Sequence, residues 1–189
     1  MTGTPSPGPA HLILIGLPGA GKSTHGRRAA KQLDRPFIDF DKRIASTTGR
    51  SVASIFAEDG EAAFRALERE ATASLALEPP SIVAPGGGWM LSPENVALVK
   101  PNSTIVWLMV SSAAAVSRMG VRIALRPLLR SGNPVRTLEG LLEKRRQRYA
   151  EADAIVDTET LSWQGVVDAL VALAPPSDRP LVPETDSAG

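Results

Sequence analysis

Cysteine is absent from the 189-residue chain, which excludes disulfides, thiolate metal sites and a cysteine nucleophile. Histidine occurs only at His11 and His25, too few and too poorly spaced for a histidine-rich metal site. Neither sign of charge dominates, since 21 Lys and Arg face 20 Asp and Glu and leave a formal net charge of +1. That balance, with no aromatic residues interleaved among basic ones, argues against nucleic acid as a partner. No run approaches the roughly 18 to 20 apolar residues that cross a bilayer. The N-terminus lacks a basic region followed by an apolar core, the mark of a secretory signal. These absences predict a cytoplasmic protein with no membrane partner. What remains is ordinary for one folded domain: 43% hydrophobic and 22% charged residues, enough for a core and for solubility.

Proline and glycine are concentrated at the ends. Residues 1–10 hold three prolines, two glycines and no charged side chain, and read as a flexible leader. Residues 174–189 carry Pro175, Pro176, Pro180 and Pro183 and read as a loose tail. Residues 11–173 then form a single domain without internal repeats. Within it, the apolar run 12–15 predicts a strand buried on both faces. Residues 21–33 predict a helix, and 36–38 a second strand leading into Asp39-Phe40-Asp41. Two short helical pieces, broken near Thr48-Gly49, are expected within 43–56. Phe64, Leu67, Ala71 and Leu75 recur at helical spacing across 61–77 until Pro79-Pro80. Further strands are expected at 81–84 and 104–110, a helix start at Ser92-Pro93-Glu94, and a last helix at 163–173. The alternation predicts an α/β fold with helices on both faces of a parallel sheet.

Gly16-Leu17-Pro18-Gly19-Ala20-Gly21-Lys22-Ser23 fits G-x-x-x-x-G-K-[ST] at every fixed position, between a predicted strand and a predicted helix. Glycines let the backbone curl closely around phosphate, and amides at the helix start point at the anion. Lys22 can neutralise the β and γ phosphates while the Ser23 hydroxyl completes a Mg²⁺ shell. A nucleoside triphosphate site is therefore expected. His25 falls in the first helical turn, where packing or surface exposure is expected, and His11 has no evident partner, so neither is assigned chemistry.

Asp39 and Asp41 follow the second strand, where parallel α/β proteins place ligands. In an extended backbone both would face one side, Asp39 toward the metal and Asp41 toward a hydroxyl acceptor as proton acceptor. The alternative is that both cap the following helix. Arg65, Arg69 and the basic stretch around Arg145 read by composition as solvated helix charges. Gly86-Gly87-Gly88 after a buried strand points to close approach of a ligand to backbone amides. Residues 120–133, with Arg122, Arg126 and Arg130, lack a period and suit a lid that closes over triphosphate.

Taken together, GLPGAGKST, FIDFD, IFAEDGEAAFRALE, GGG, RPLL and EKRRQRY resemble, in order and spacing, the shikimate kinases. The resemblance spans roughly 11–173. It implies a three-layer α/β/α P-loop kinase fold with a five-stranded parallel sheet of order 2-3-1-4-5, and a monomer. ATP would lie on Gly19, Ala20, Gly21, Lys22, Ser23 and Thr24, with Arg118 near the adenine and Arg126 as the lid arginine. Mg²⁺ would be held by Ser23 and Asp39. Shikimate would be bound by Asp41, Arg65, Gly86, Gly87, Gly88 and Arg145, the two arginines gripping its carboxylate. Lys22, Asp41 and Arg126 would carry the transfer of phosphate from ATP to the 3-hydroxyl. Two segments depart from the family pattern: Ala84-Pro85, where alanine and threonine are more usual, and 120–125, which lacks the usual lid glycines. A kinase for gluconate or another small hydroxy acid, and a nonenzymatic ligand-sensing domain of the same fold, are the alternatives.

Overall fold

Strand β1 (His11–Ile15) is buried along its whole length because it is the middle strand of five. The others are β2 (Phe37–Asp39), β3 (Ile82–Ala84), β4 (Ser103–Met109) and β5 (Ala154–Asp157). All pairings are parallel, in the order β2-β3-β1-β4-β5. The expected sheet is therefore present. This computed structural model describes residues 11–126, 129 and 132–176. The expected leader, the expected tail from residue 177 onward, and Pro127, Leu128, Arg130 and Ser131 of the expected lid lie outside the described residues, as does the side chain of Arg122.

Alternation along β1 divides the core. Leu12 and Leu14 face one layer, with Ala29 and Ala30 of α1 (Lys22–Gln32), Ala115 of α6 (Ser112–Met119) and Val166, Val167 and Leu170 of α8 (Trp163–Leu173). Ile13 and Ile15 face the other, with Phe40 and Ile44 of α2 (Phe40–Thr48), Ile55 of α3 (Val52–Glu58), Phe64 of α4 (Gly60–Ala73) and Val99 of α5 (Pro93–Val99). Helix α7 (Pro134–Tyr149) serves both layers, placing Leu138 in the first and Tyr149 in the second. Strands whose two faces are both covered need apolar residues at successive positions. That is why β1 reads as an unbroken apolar run.

Local chemistry sets the helix ends. The hydroxyls of Ser51, Ser92, Ser111 and Ser162 cap α3, α5, α6 and α8. Gly49, at φ 67°, separates α2 from α3 as the sequence indicated. Three expectations are corrected. The helix expected over 61–77 starts at Gly60 and tightens into a 3₁₀ turn over Ser74–Leu77. The segment expected to form a lid without periodic structure contains a 3₁₀ helix over Gly120–Leu125. His11 has a partner, since its Nε2–H donates to the Leu75 carbonyl at 3.0 Å and ties β1 to that 3₁₀ turn. Past the end of α8, Pro175 is buried and its carbonyl accepts from Arg35 Nη2. Among the described residues no helix is long and apolar enough to cross a membrane.

Candidate active site

The strand order reverses at β1, with β3 on one side and β4 on the other. In such sheets ligands sit in the crevice beyond the strands' carboxyl ends. The glycine loop leaves β1 there, and a cleft of about 820 Å³ opens over it. The cleft wall includes Gly19, Gly21, Lys22, Ser23 and Thr24 from the loop and α1, with Asp39 and Asp41 opposite. Gly21 takes φ 92° at the start of α1 and no side chain caps that helix. Its first amides are thus left for an anion. Lys22 Nζ lies over the loop, donating to Gly16 O at 2.8 Å and Leu17 O at 3.1 Å. Burial and then the Arg126 charge push its pKa down to about 8, against the opposing pull of Asp41. Ala20 is fully buried and off the wall, so it shapes the loop from behind.

Asp39 closes β2 and caps α2, Oδ1 accepting from Lys42 N at 3.4 Å. Its other oxygen accepts from the Ser23 hydroxyl at 3.0 Å and lies 3.8 Å from Arg27 Nη2. The cap and the position beside Ser23 are thus held by one carboxylate. Because α2 begins at Phe40, the backbone is not extended between the two aspartates, and Asp41 reaches the cleft from the first helical turn. Asp41 is an exposed residue on the cleft wall. Burial first, then Asp39, raises its pKa, while Lys22, Arg126 and Arg65 pull it down. Arg126 itself is exposed on the cleft wall, facing these groups.

The triple glycine begins just beyond β3. Gly86 and Gly87 are on the cleft wall; Gly88, Arg65 and Arg145 are not. They stand at the turn all the same. A Cβ at Gly88 would lie 2.6 Å from Arg65 Nη2, and one at Gly87 would lie 2.9 Å from Arg145 Nη1. Only glycine lets two guanidinium groups come this close to the turn. Arg65 is half-buried rather than solvated: it pairs with Glu61 at 2.9 Å and with the fully buried Glu68. The Tyr149 hydroxyl donates to Gly87 O at 2.6 Å and fixes the turn from α7.

Sequence reading missed Glu68, Tyr149 and Thr158. Glu68 interrupts the apolar stripe of α4, four residues after Phe64 and three before Ala71, and that mismatch was its signal. Its Oε1 would lie 2.7 Å from a Cβ on Gly86, with Asp41 Oδ1 at 3.5 Å from the same point. Burial raises the Glu68 pKa and the Arg65 charge opposes it. At the far end, Arg118 reaches the cleft from α6 and donates to Thr158 Oγ1 at 2.7 Å and Thr158 O at 2.6 Å.

The family model described as shikimate kinase matches residues 18–174. A shikimate kinase of Rhodococcus jostii is 42% identical over 161 residues, covering 85% of this chain and 95% of its own. One from Caulobacter vibrioides is 41% identical over 160 residues, covering 85% and 80%. The shikimate kinase from Acinetobacter baumannii, solved in complex with shikimate, superposes with a TM-score of 0.80 at 31% identity, covering 87% and 92%. With a family match over most of the folded residues, relatives of this identity and the same strand order, the chain belongs to the shikimate kinase family.

Proposed function

We propose that this protein transfers the γ-phosphoryl group of ATP to the 3-hydroxyl of shikimate, giving shikimate 3-phosphate and ADP. One observation carries the acceptor choice: two guanidinium groups converge on a glycine turn at the cleft that also holds Lys22 and Asp41. Paired arginines present fixed donor forks to a planar carboxylate and favour an acid over a neutral polyol. In this reading Arg65 and Arg145 hold the carboxylate, Gly86–Gly88 supply backbone contacts, and Asp41 orients the hydroxyls. Glu68 and Glu61 keep the Arg65 fork in place.

The phosphates lie along Gly19–Thr24. The acceptor oxygen attacks in line as the bond to the ADP oxygen breaks, and Asp41 takes the hydroxyl proton. Its raised pKa makes it a better base than an ordinary aspartate. Lys22 and Arg126 offset charge on the transferring group. Ser23 and Asp39 offer two hard oxygen donors in hydrogen-bond contact. No cluster of three His, Cys, Asp or Glu among the described residues could cage a metal. That donor set suits Mg²⁺, which binds through one or two protein oxygens plus substrate phosphates and would supply charge neutralisation there. Residues 11–173 are proposed as the folded unit, between leader 1–10 and tail 174–189, acting as a cytoplasmic monomer without nucleic-acid or membrane partners.

Coupled ADP release with purified protein, ATP and Mg²⁺, run against shikimate, quinate and gluconate, tests the assignment. Shikimate-dependent release is expected. Release with gluconate alone would give the site to another hydroxy acid, and binding without any release would make the domain a sensor.

A further inference from the structure

Charge is balanced over the whole chain but not locally. Six Lys and Arg stand against three Asp between residues 27 and 43, although the chain as a whole carries only +1. Arg27, Asp39, Lys42 and Arg43 from this stretch surround a second cavity of about 370 Å³, together with Phe37 and Ile38. Phe37 and Ile38 belong to β2, an edge strand whose outer side has no strand partner. The cavity shares Arg27, Asp39 and Lys42 with the active cleft, whereas Phe37, Ile38 and Arg43 are not on the cleft wall. It is a neighbour of the cleft with a back wall of its own.

The three cations differ in what they have left to offer. Arg43 spends Nη1 on Ser74 and Nη2 on Glu78, so it contributes charge rather than a hydrogen bond. Arg27 sets its guanidinium 5.2 Å from the centre of the Phe37 ring, with Nη2 3.8 Å from Asp39 Oδ2 and half of the side chain exposed. A guanidinium over a ring keeps its edge N–H groups for a ligand. The exposed Lys42 ammonium makes no hydrogen bond or ion pair among the described residues. Asp39 is the one carboxylate on the cavity wall, and it already accepts from Ser23 and from the Lys42 amide.

A carboxylate has two oxygens, which one arginine fork takes up; a phosphate group has a third for an ammonium. We propose that this cavity binds the phosphate group of a small anion, inorganic phosphate or a phosphomonoester, between the Arg27 fork and the Lys42 ammonium. Its volume exceeds that of a bare ion, and Phe37 and Ile38 offer an apolar surface to the carbon body of an ester. Asp39 ties the site to the phosphate loop, because the oxygen nearest Arg27 is the one that accepts from the Ser23 hydroxyl. The site stands apart from the question of which acceptor is phosphorylated.

Amide NMR of the full chain tests it, with Mg²⁺, a nonhydrolysable ATP analogue and shikimate at saturation to fill the phosphate loop and the acceptor arginines. Inorganic phosphate is titrated in at constant ionic strength. Saturable shifts are expected at Phe37, Ile38 and Lys42. Lys42→Gln and Arg27→Gln should each weaken phosphate binding about tenfold or more, the scale of one charge-assisted hydrogen bond. Lys42→Arg keeps the charge and a donor and should stay within about threefold. Tighter binding of glycerol 3-phosphate than of inorganic phosphate would support the site as one for esters, and the reverse order would support it as one for the free ion. Absence of saturable shifts, an equal response to acetate, or unchanged affinity in both glutamine variants would overturn the site.

Discussion

Gly88→Ala is an unusually clean probe of the acceptor end. Gly88 has φ −97° and ψ −3°, which alanine adopts without strain. The added methyl has one consequence: it would lie 2.6 Å from Arg65 Nη2, 3.0 Å from Nη1 and 3.1 Å from Cζ. The guanidinium must retreat by roughly 0.8 Å to reach ordinary contact, a displacement on the order of that which costs about a hundredfold when reactants are misplaced. Glu61 and Glu68 restrain its retreat, and Glu68 is buried and cannot follow. Loss of one charge-assisted hydrogen bond to the acceptor carboxylate amounts to about 1.5–3 kcal/mol, or roughly ten- to a hundredfold. The expected result is a fall of that size in kcat/KM for shikimate, with KM for ATP within about twofold. Because the retreat also loosens the pair with the buried Glu68, the melting temperature should fall by a few degrees while the protein stays folded at assay temperature. Steady-state coupled assays at saturating ATP, beside Arg65→Ala as reference, measure it. If Gly88→Ala keeps wild-type kcat/KM while Arg65→Ala loses most of it, the placement of Arg65 against this turn is wrong.

Lys22→Met should reduce turnover by about a hundredfold or more while far-UV circular dichroism stays native, since it removes the cation at the transferring phosphates. For the wild type, Lys22 charge is fully present well below pH 8 and is lost as pH rises through about 8. The kcat/KM for ATP should therefore fall on the alkaline side near that pH; a flat profile to pH 10 would contradict it. Over pH 8 to 10.5 the unfolded chain holds this proton more tightly than the folded one, so this group makes the fold more stable as pH rises, which denaturant titrations can follow. Asp41→Asn keeps the shape and removes the base, and kcat is expected to drop about 10²- to 10⁴-fold with ADP affinity unchanged by calorimetry.

Much of the nucleotide half was legible because its chemistry is local. The phosphate loop, its strand and its helix occupy consecutive residues, and β1's apolar run announced burial on both faces. The acceptor half was not. Arg65 and Gly88 meet through packing of α4 against the turn after β3, and Tyr149 reaches Gly87 from 62 residues away. Composition gives no means of choosing among the arginines of 144–148, and the resemblance alone selected Arg145. The extended Asp39–Asp41 segment failed for a physical reason: Asp39 is itself a cap, and its carboxylate starts the helix one residue before the expected geometry ends. His11 shows the remaining gap, since its buried ring bonds to a carbonyl 64 residues away in sequence.

The carboxylate of Asp39 joins three pieces of architecture at a single atom group: the end of an edge strand, the first turn of α2 and the serine of the glycine loop. Removing that one carboxylate would therefore release the serine and the first turn of the helix bearing Asp41 together, so that the two ends of the proposed site share a common support.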